Sequence, residues 1–122
     1  MAALNIAFEA PDNSRGACPS QASIIDLVHL ARQTMGDKAL ELDVLQMFAR
    51  QARSALQELA SDNTDTVIAS AHRLRGTAAS VGASRVLAAI TAYEADITDA
   101  GKRAAVGAAV IEAENFILKL CR

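Results

Sequence analysis

From residue 42 to residue 120 apolar side chains recur every third or fourth position, interrupted only around Ser61-Asp62-Asn63, Gly82-Ala83-Ser84 and Asp99-Ala100-Gly101. That spacing is the period of an α-helix with one buried face. The first stripe is Leu42, Leu45, Phe48 or Ala49, Ala52, Leu56 and Leu59, with Asp37 as its N-cap and an end near residue 62. The second is Val67, Ala71, Leu74, Ala78 and Val81, capped by Thr64 or Asp65 and ending at Gly82, where a C-terminal glycine belongs. Ser84 restarts the chain for Val86 or Leu87, Ile90, Tyr93 and Ile97, and a last helix over about 102–121 buries Val106, Val110, Ala113, Ile117 and Leu120. Ahead of these, Ser23 reads as the N-cap of a short helix over about 24–35, stopped by Gly36. Long amphipathic helices with short connections become antiparallel neighbours. The expected fold is all-α, an antiparallel up-down four-helix bundle with a short additional N-terminal helix.

Composition supports this. Apolar residues make up 52% of the 122, aromatics only 3%, and the excess is alanine, leucine, isoleucine and valine; such a mixture favours closely packed helices over sheet. Residues 1–21 form a separate arm, in which Leu4, Ile6 and Phe8 alternate ahead of a Pro/Asn/Ser/Gly cluster, and residues 22–122 form the bundle. The length suffices for a core without disulfide or metal, so Cys18 and Cys121 are expected as free thiols. A net charge of −2 with no basic run argues against nucleic acid as a partner. No stretch approaches the ~20 apolar residues that cross a bilayer, and Met1 to Ala10 lacks the early positive charge of a signal peptide. A cytoplasmic protein with no membrane partner is expected.

The second long helix carries the chemistry. With Leu74 pointing at the core, His72 falls roughly 160° away and Gly76 and Ala79 lie beside it, at about 100° per residue. Ala69, Gly76 and Ala79 are all small, so nothing large stands between the imidazole and an incoming molecule. Arg75 sits on the flank, where its guanidinium can reach whatever the histidine carries. Glycine inside a helix costs about 1 kcal/mol relative to alanine, so Gly76 suggests that close approach matters there. A neutral imidazole near pH 7 is a nucleophile able to attack a phosphoryl group presented by another protein. Arg75 would hold that group by charge-assisted contacts.

His72-Arg73-Leu74-Arg75-Gly76-Thr77, with Ser80 and Gly82 following, resembles the phosphorylation motif of histidine-containing phosphotransfer (HPt) domains. That pattern is histidine, any residue, an apolar residue, lysine or arginine, glycine, a small residue, and a second glycine six positions after the first. Lysine is the more usual residue at the place of Arg75, which keeps the basic role. The resemblance implies a phosphocarrier without ATP-dependent kinase activity of its own. It would accept a phosphoryl group on His72 from a receiver-domain aspartate or from a sensor or hybrid histidine kinase, and pass it to another receiver domain. It also implies that Mg2+ sits in the partner receiver, with no metal or other cofactor bound by this chain.

Counting through the hairpin adds a further candidate. His72 lies eleven residues before Ala83 and Glu94 eleven after it, so the two are level on antiparallel helices. Glu94, or Tyr93 beside it, is placed to accept a hydrogen bond from the imidazole Nδ1–H, leaving Nε2 as the nucleophile; the bland alternative is a solvated surface glutamate. Relatives often carry glutamine or a similar residue in this region. His29 reads as an ordinary surface side chain, and Met35 and Met47 as core or core-edge filler. Ile24, Ile25, Leu27 and Val28 exceed what one buried face needs, so Ile24 and Ile25, with Ala69, Arg73 and Ala79, are candidate partner contacts. One exposed nucleophile and one docking face suit a monomer. The serious rival is a non-catalytic bundle that docks and regulates a signalling partner, which would need neither Arg75 nor Gly76 beside His72. A kinase dimerisation domain would need nucleotide motifs that are missing, and a haem or metal bundle more ligands than His29 and His72.

Overall fold

A computed structural model of the chain describes residues 24–121. The expected arm, residues 1–21, Cys18 and Ser23 therefore lie outside the described residues. Five helices follow in order: α1 (Leu27–Gln33), α2 (Lys38–Leu59), α3 (Thr64–Val81), α4 (Ser84–Ala95) and α5 (Ala100–Leu120). Helix α2 packs on α3, α3 on α4 and α4 on α5, and α5 closes the ring against α2. Helices α3 and α5 thus stand diagonally opposite each other.

Local signals set most of the helix boundaries. Asp37 caps α2 by accepting the Leu40 N–H at 3.1 Å, and Asp99 caps α5 through the Lys102 N–H at 3.0 Å. The cap of α3 is Asn63, whose Oδ1 accepts the Thr66 N–H at 3.2 Å. Thr64 and Asp65, expected as caps, instead open the helix itself. Between α4 and α5, Asp96 accepts both the Thr98 N–H and its hydroxyl, the latter at 2.7 Å; that hydroxyl holds the Asp96 carboxyl below the usual carboxylate range.

The α3–α4 turn is built from backbone. Ala83 N–H donates to Ala78 O at 2.8 Å and Gly82 N–H to Ala79 O at 3.3 Å, with Gly82 at φ +77°, the hydrogen-bond pair of a Schellman C-cap. Ala83, wholly buried, is the N-cap of α4, and its methyl group offers no acceptor, so the start of α4 has no side-chain cap.

Helix α1 starts later than its apolar residues suggested. Its N-cap is Asp26, and Ile24 and Ile25 precede it, because the Asp26 N–H donates to Gly82 O at 2.8 Å and draws the chain across the α3–α4 turn before the helix begins. His29 joins the same seam, with Nε2 3.1 Å from Ser80 O. It ties α1 to the end of α3 and is not a free surface side chain.

The core is one cluster fed by every helix. Val67, Ala71, Leu74, Ala78 and Val81 are buried along α3, and Val106, Val110, Ala113 and Ile117 along α5. Leu120, expected inward, is 37% exposed because it sits past the last buried layer at Ile117. Met35 and Met47 are not core: Met35 lies in the left-handed turn after α1 at φ 55° and is 94% exposed, and Met47 faces outward from α2.

Candidate functional site

The inward stripe of α3 fixes the direction of its other face. Because Ala71, Leu74 and Ala78 are buried, His72, Gly76 and Ala79 project away from the bundle, and Ala69 and Arg75 are exposed with them. The His72 side chain is 71% exposed. A Cβ on Gly76 would meet nothing within 4 Å among the described residues, so they leave the space over the histidine open on that side.

Helix α4 brings the carboxylate. Glu94 Oε2 lies 3.7 Å from His72 Nδ1, and Glu94 Oε1 lies 3.1 Å from Arg75 Nε. The register of the α3–α4 hairpin thus places the two positions level, as counting implied. The contact to Arg75 is close enough for charge attraction but lacks the alignment of a hydrogen bond, and Glu94 Oε1 is buried with no hydrogen-bond partner among the described residues. Glu94 is therefore neither fully solvated nor satisfied: an acceptor is held beside the imidazole with capacity to spare. Tyr93, the alternative acceptor, is buried in the core at 2% exposure.

The remaining candidates divide by exposure. Arg73 points to the other flank and pairs with Glu58 of α2 at 3.1 Å, so it braces α3 against α2. Ile25 is 2% exposed and packs in the core, which removes it as a surface contact; Ile24 is half-buried against the same core. Of the apolar run at α1, Leu27 and Val28 are the exposed members, at 38% and 64%. Ile68, one turn before His72 on the same side of α3, is 49% exposed, an apolar neighbour of the site that the inward stripe left unremarked. Its signal was its spacing of four from His72.

Among the described residues no group of three or more His, Cys, Asp or Glu side chains is arranged to hold a metal ion, and no helix is long and apolar enough to cross a membrane. The arrangement is one exposed imidazole with a carboxylate 3.7 Å from its Nδ1, one guanidinium at the flank and, among the described residues, open space above. Comparison with characterised proteins and with solved structures returns no match. The family model for the Hpt domain matches residues 43–117, from the first turns of α2 to near the end of α5. That match covers more than half of the chain and all four helices of the bundle. The chain belongs to the Hpt domain family, and is a histidine phosphotransfer module of two-component signalling.

Proposed function

We propose that His72 is the phosphoryl-accepting residue, and that this chain shuttles a phosphoryl group between receiver-domain aspartates, or from a sensor or hybrid histidine kinase to a receiver. The observation that carries the reading is the pairing of an exposed His72 with a buried-edge carboxylate 3.7 Å from its Nδ1. A carboxylate on that side favours the tautomer with the proton on Nδ1, so the lone pair resides on Nε2, the nitrogen Glu94 does not touch. In the forward step Nε2 attacks the phosphorus of an aspartyl phosphate. The P–N bond forms, the P–O bond to the aspartate breaks, and the receiver carboxylate leaves. The reverse step returns the group to another aspartate.

Arg75 supplies charge. In the free protein its guanidinium leans on Glu94, and from the same position it turns to the phosphoryl oxygens once they arrive, where charge-assisted contacts to a dianion exceed its attraction to a single carboxylate. Gly76 keeps the approach open. Magnesium belongs to the partner receiver's acidic site in this reading, and the present chain binds no cofactor.

The test is incubation with a phosphorylated receiver domain, followed by acid and alkali treatment of the labelled chain. Transfer of acid-labile, alkali-stable label to the wild-type chain and none to His72→Gln supports the reading. A wild-type chain that binds the receiver and acquires no label would establish the pure binding module.

A further inference from the structure

Helix α5 is apolar on both sides. Its inner face buries Val106, Val110, Ala113 and Ile117. Its outer face carries Ala104, Ala108, Ile111, Asn115 and Leu118, all exposed, with Ile111 at 50% and Leu118 at 60%. A helix on the surface of a monomer ordinarily turns charge outward, and a helix apolar all round is ordinarily covered all round. These five outer positions are spaced four, three, four and three residues apart, the repeat of a helix–helix seam, and one seam position is asparagine, the polar residue that sets register and copy number in paired helices.

The surface around this ridge is shaped for a second ridge. On the α2 side runs a groove of about 670 Å³ lined by Ala49, Arg53, Ile111 and Leu118. On the other side runs a groove of about 520 Å³ lined by Ile24, Ala108, Phe116 and Lys119, and Ile111 and Asn115 line both. A ridge flanked by grooves is self-complementary in the way that packed helices require.

Charge selects the orientation. Glu112 and Lys119 lie on the same flank of the ridge, seven residues apart on either side of Asn115. In an antiparallel two-fold pair centred near Asn115, Glu112 of each copy meets Lys119 of the other, Ile111 meets Leu118, and the two Asn115 side chains meet each other. Lys119 has no ion-pair partner among the described residues, and Glu112 Oε1 lies 2.9 Å from Arg85 Nε. A parallel pair would send Lys119 to Glu114, whose two oxygens both already accept from Arg53, at 2.6 and 3.1 Å.

We infer that α5 pairs antiparallel with α5 of a second copy, giving a two-fold homodimer in place of the monomer that the sequence suggests. Helix α3 is diagonal to α5, so both His72 side chains remain open to receiver domains. The ridge is about 21 Å long at about 1.5 Å rise per residue, which places the interface at the small end of stable dimers and its dissociation constant in the micromolar range.

Sedimentation of the full chain across concentrations tests this. Wild-type protein dimerises, and Ile111→Glu and Leu118→Glu, both at exposed positions that leave the fold intact by circular dichroism, each weaken the dimer about thirtyfold or more. Lys119→Glu alone and Glu112→Lys alone weaken it about tenfold, and the two together restore it to within about threefold. Label transfer to His72 is unchanged in all of them. A chain that stays monomeric to millimolar concentration, or a dimer indifferent to Ile111→Glu and Leu118→Glu, would overturn the inference. Failure of the charge swap to restore pairing would overturn the antiparallel register.

Discussion

Gly76 and Gly82 stand six residues apart on one helix, and the structure gives them opposite reasons to be glycine. Gly82 has φ +77°, and a Cβ there would lie 3.1 Å from Asp26 Cβ, 3.2 Å from Asp26 O and 3.2 Å from His29 Cδ2. It lets α3 end, lets α1 cross the turn, and leaves its own carbonyl to accept the Asp26 N–H. Gly76 has helical geometry, and a Cβ there would touch nothing within 4 Å. Nothing among the described residues requires it, and it weakens the helix that holds it. Gly82 serves the fold, and Gly76, in the function proposed for His72, serves what comes to the fold from outside. Stability and transfer should therefore separate when the two are altered.

The largest effect belongs to Gly82. Gly82→Ala combines a left-handed backbone with a Cβ pressed against a carbonyl oxygen and a ring, and should cost about 2–3 kcal/mol in urea unfolding. Gly82→Asn should cost less than Gly82→Ala, since asparagine tolerates the left-handed region, although its side chain meets the same neighbours. Equal stability of Gly82→Ala and wild type would rule out a structural need for glycine at 82.

Gly76→Leu should leave unfolding unchanged or slightly favoured while slowing label transfer from a phosphorylated receiver about tenfold or more, because the leucine fills the approach to His72. A transfer rate equal to wild type would break the comparison from the site side. Glu94 sharpens it. Glu94→Ala should slow labelling about tenfold by freeing the imidazole, and Glu94→Gln, which keeps an acceptor, should slow it less, with unfolding little changed because the pair is near the surface. The smallest effect is Gly76→Ala, which should stabilise the chain by about 0.5–1 kcal/mol through helix propensity alone.

Much of this was legible in the sequence because the signals are local. The stripe Val67, Ala71, Leu74, Ala78, Val81 follows from helical period, and once it faces inward His72 must face out. Asp37 announces its cap, and the glycine at 82 announces a helix end, whereas Asp99 reads only as a break and proves to cap α5. Glu94 could be placed level with His72 because a tight turn leaves an antiparallel hairpin little freedom of register.

What was not legible depends on contacts between segments distant in the chain. Ile24 and Ile25 read as helix by pattern, but the Asp26 N–H finds Gly82 O from the far end of α3, and the helix begins after it. His29 looks like a surface side chain until Ser80 is brought to it. The outer ridge of α5 hides in a helix whose apolar residues surround it, so that its inward stripe is recognised and its second seam overlooked. Met35 and Met47 show the converse: their apolar side chains suggested burial, and the turn and the outer face of α2 left them in solvent.

The central claim is that Glu94 takes Nδ1 and leaves Nε2 of His72 to carry the phosphoryl group. Two-dimensional 31P–15N NMR of histidine-labelled protein, phosphorylated by a receiver domain, measures this directly. One phosphohistidine is expected, at His72, with phosphorus coupled to Nε2. Phosphorus on Nδ1, or on His29, would contradict it.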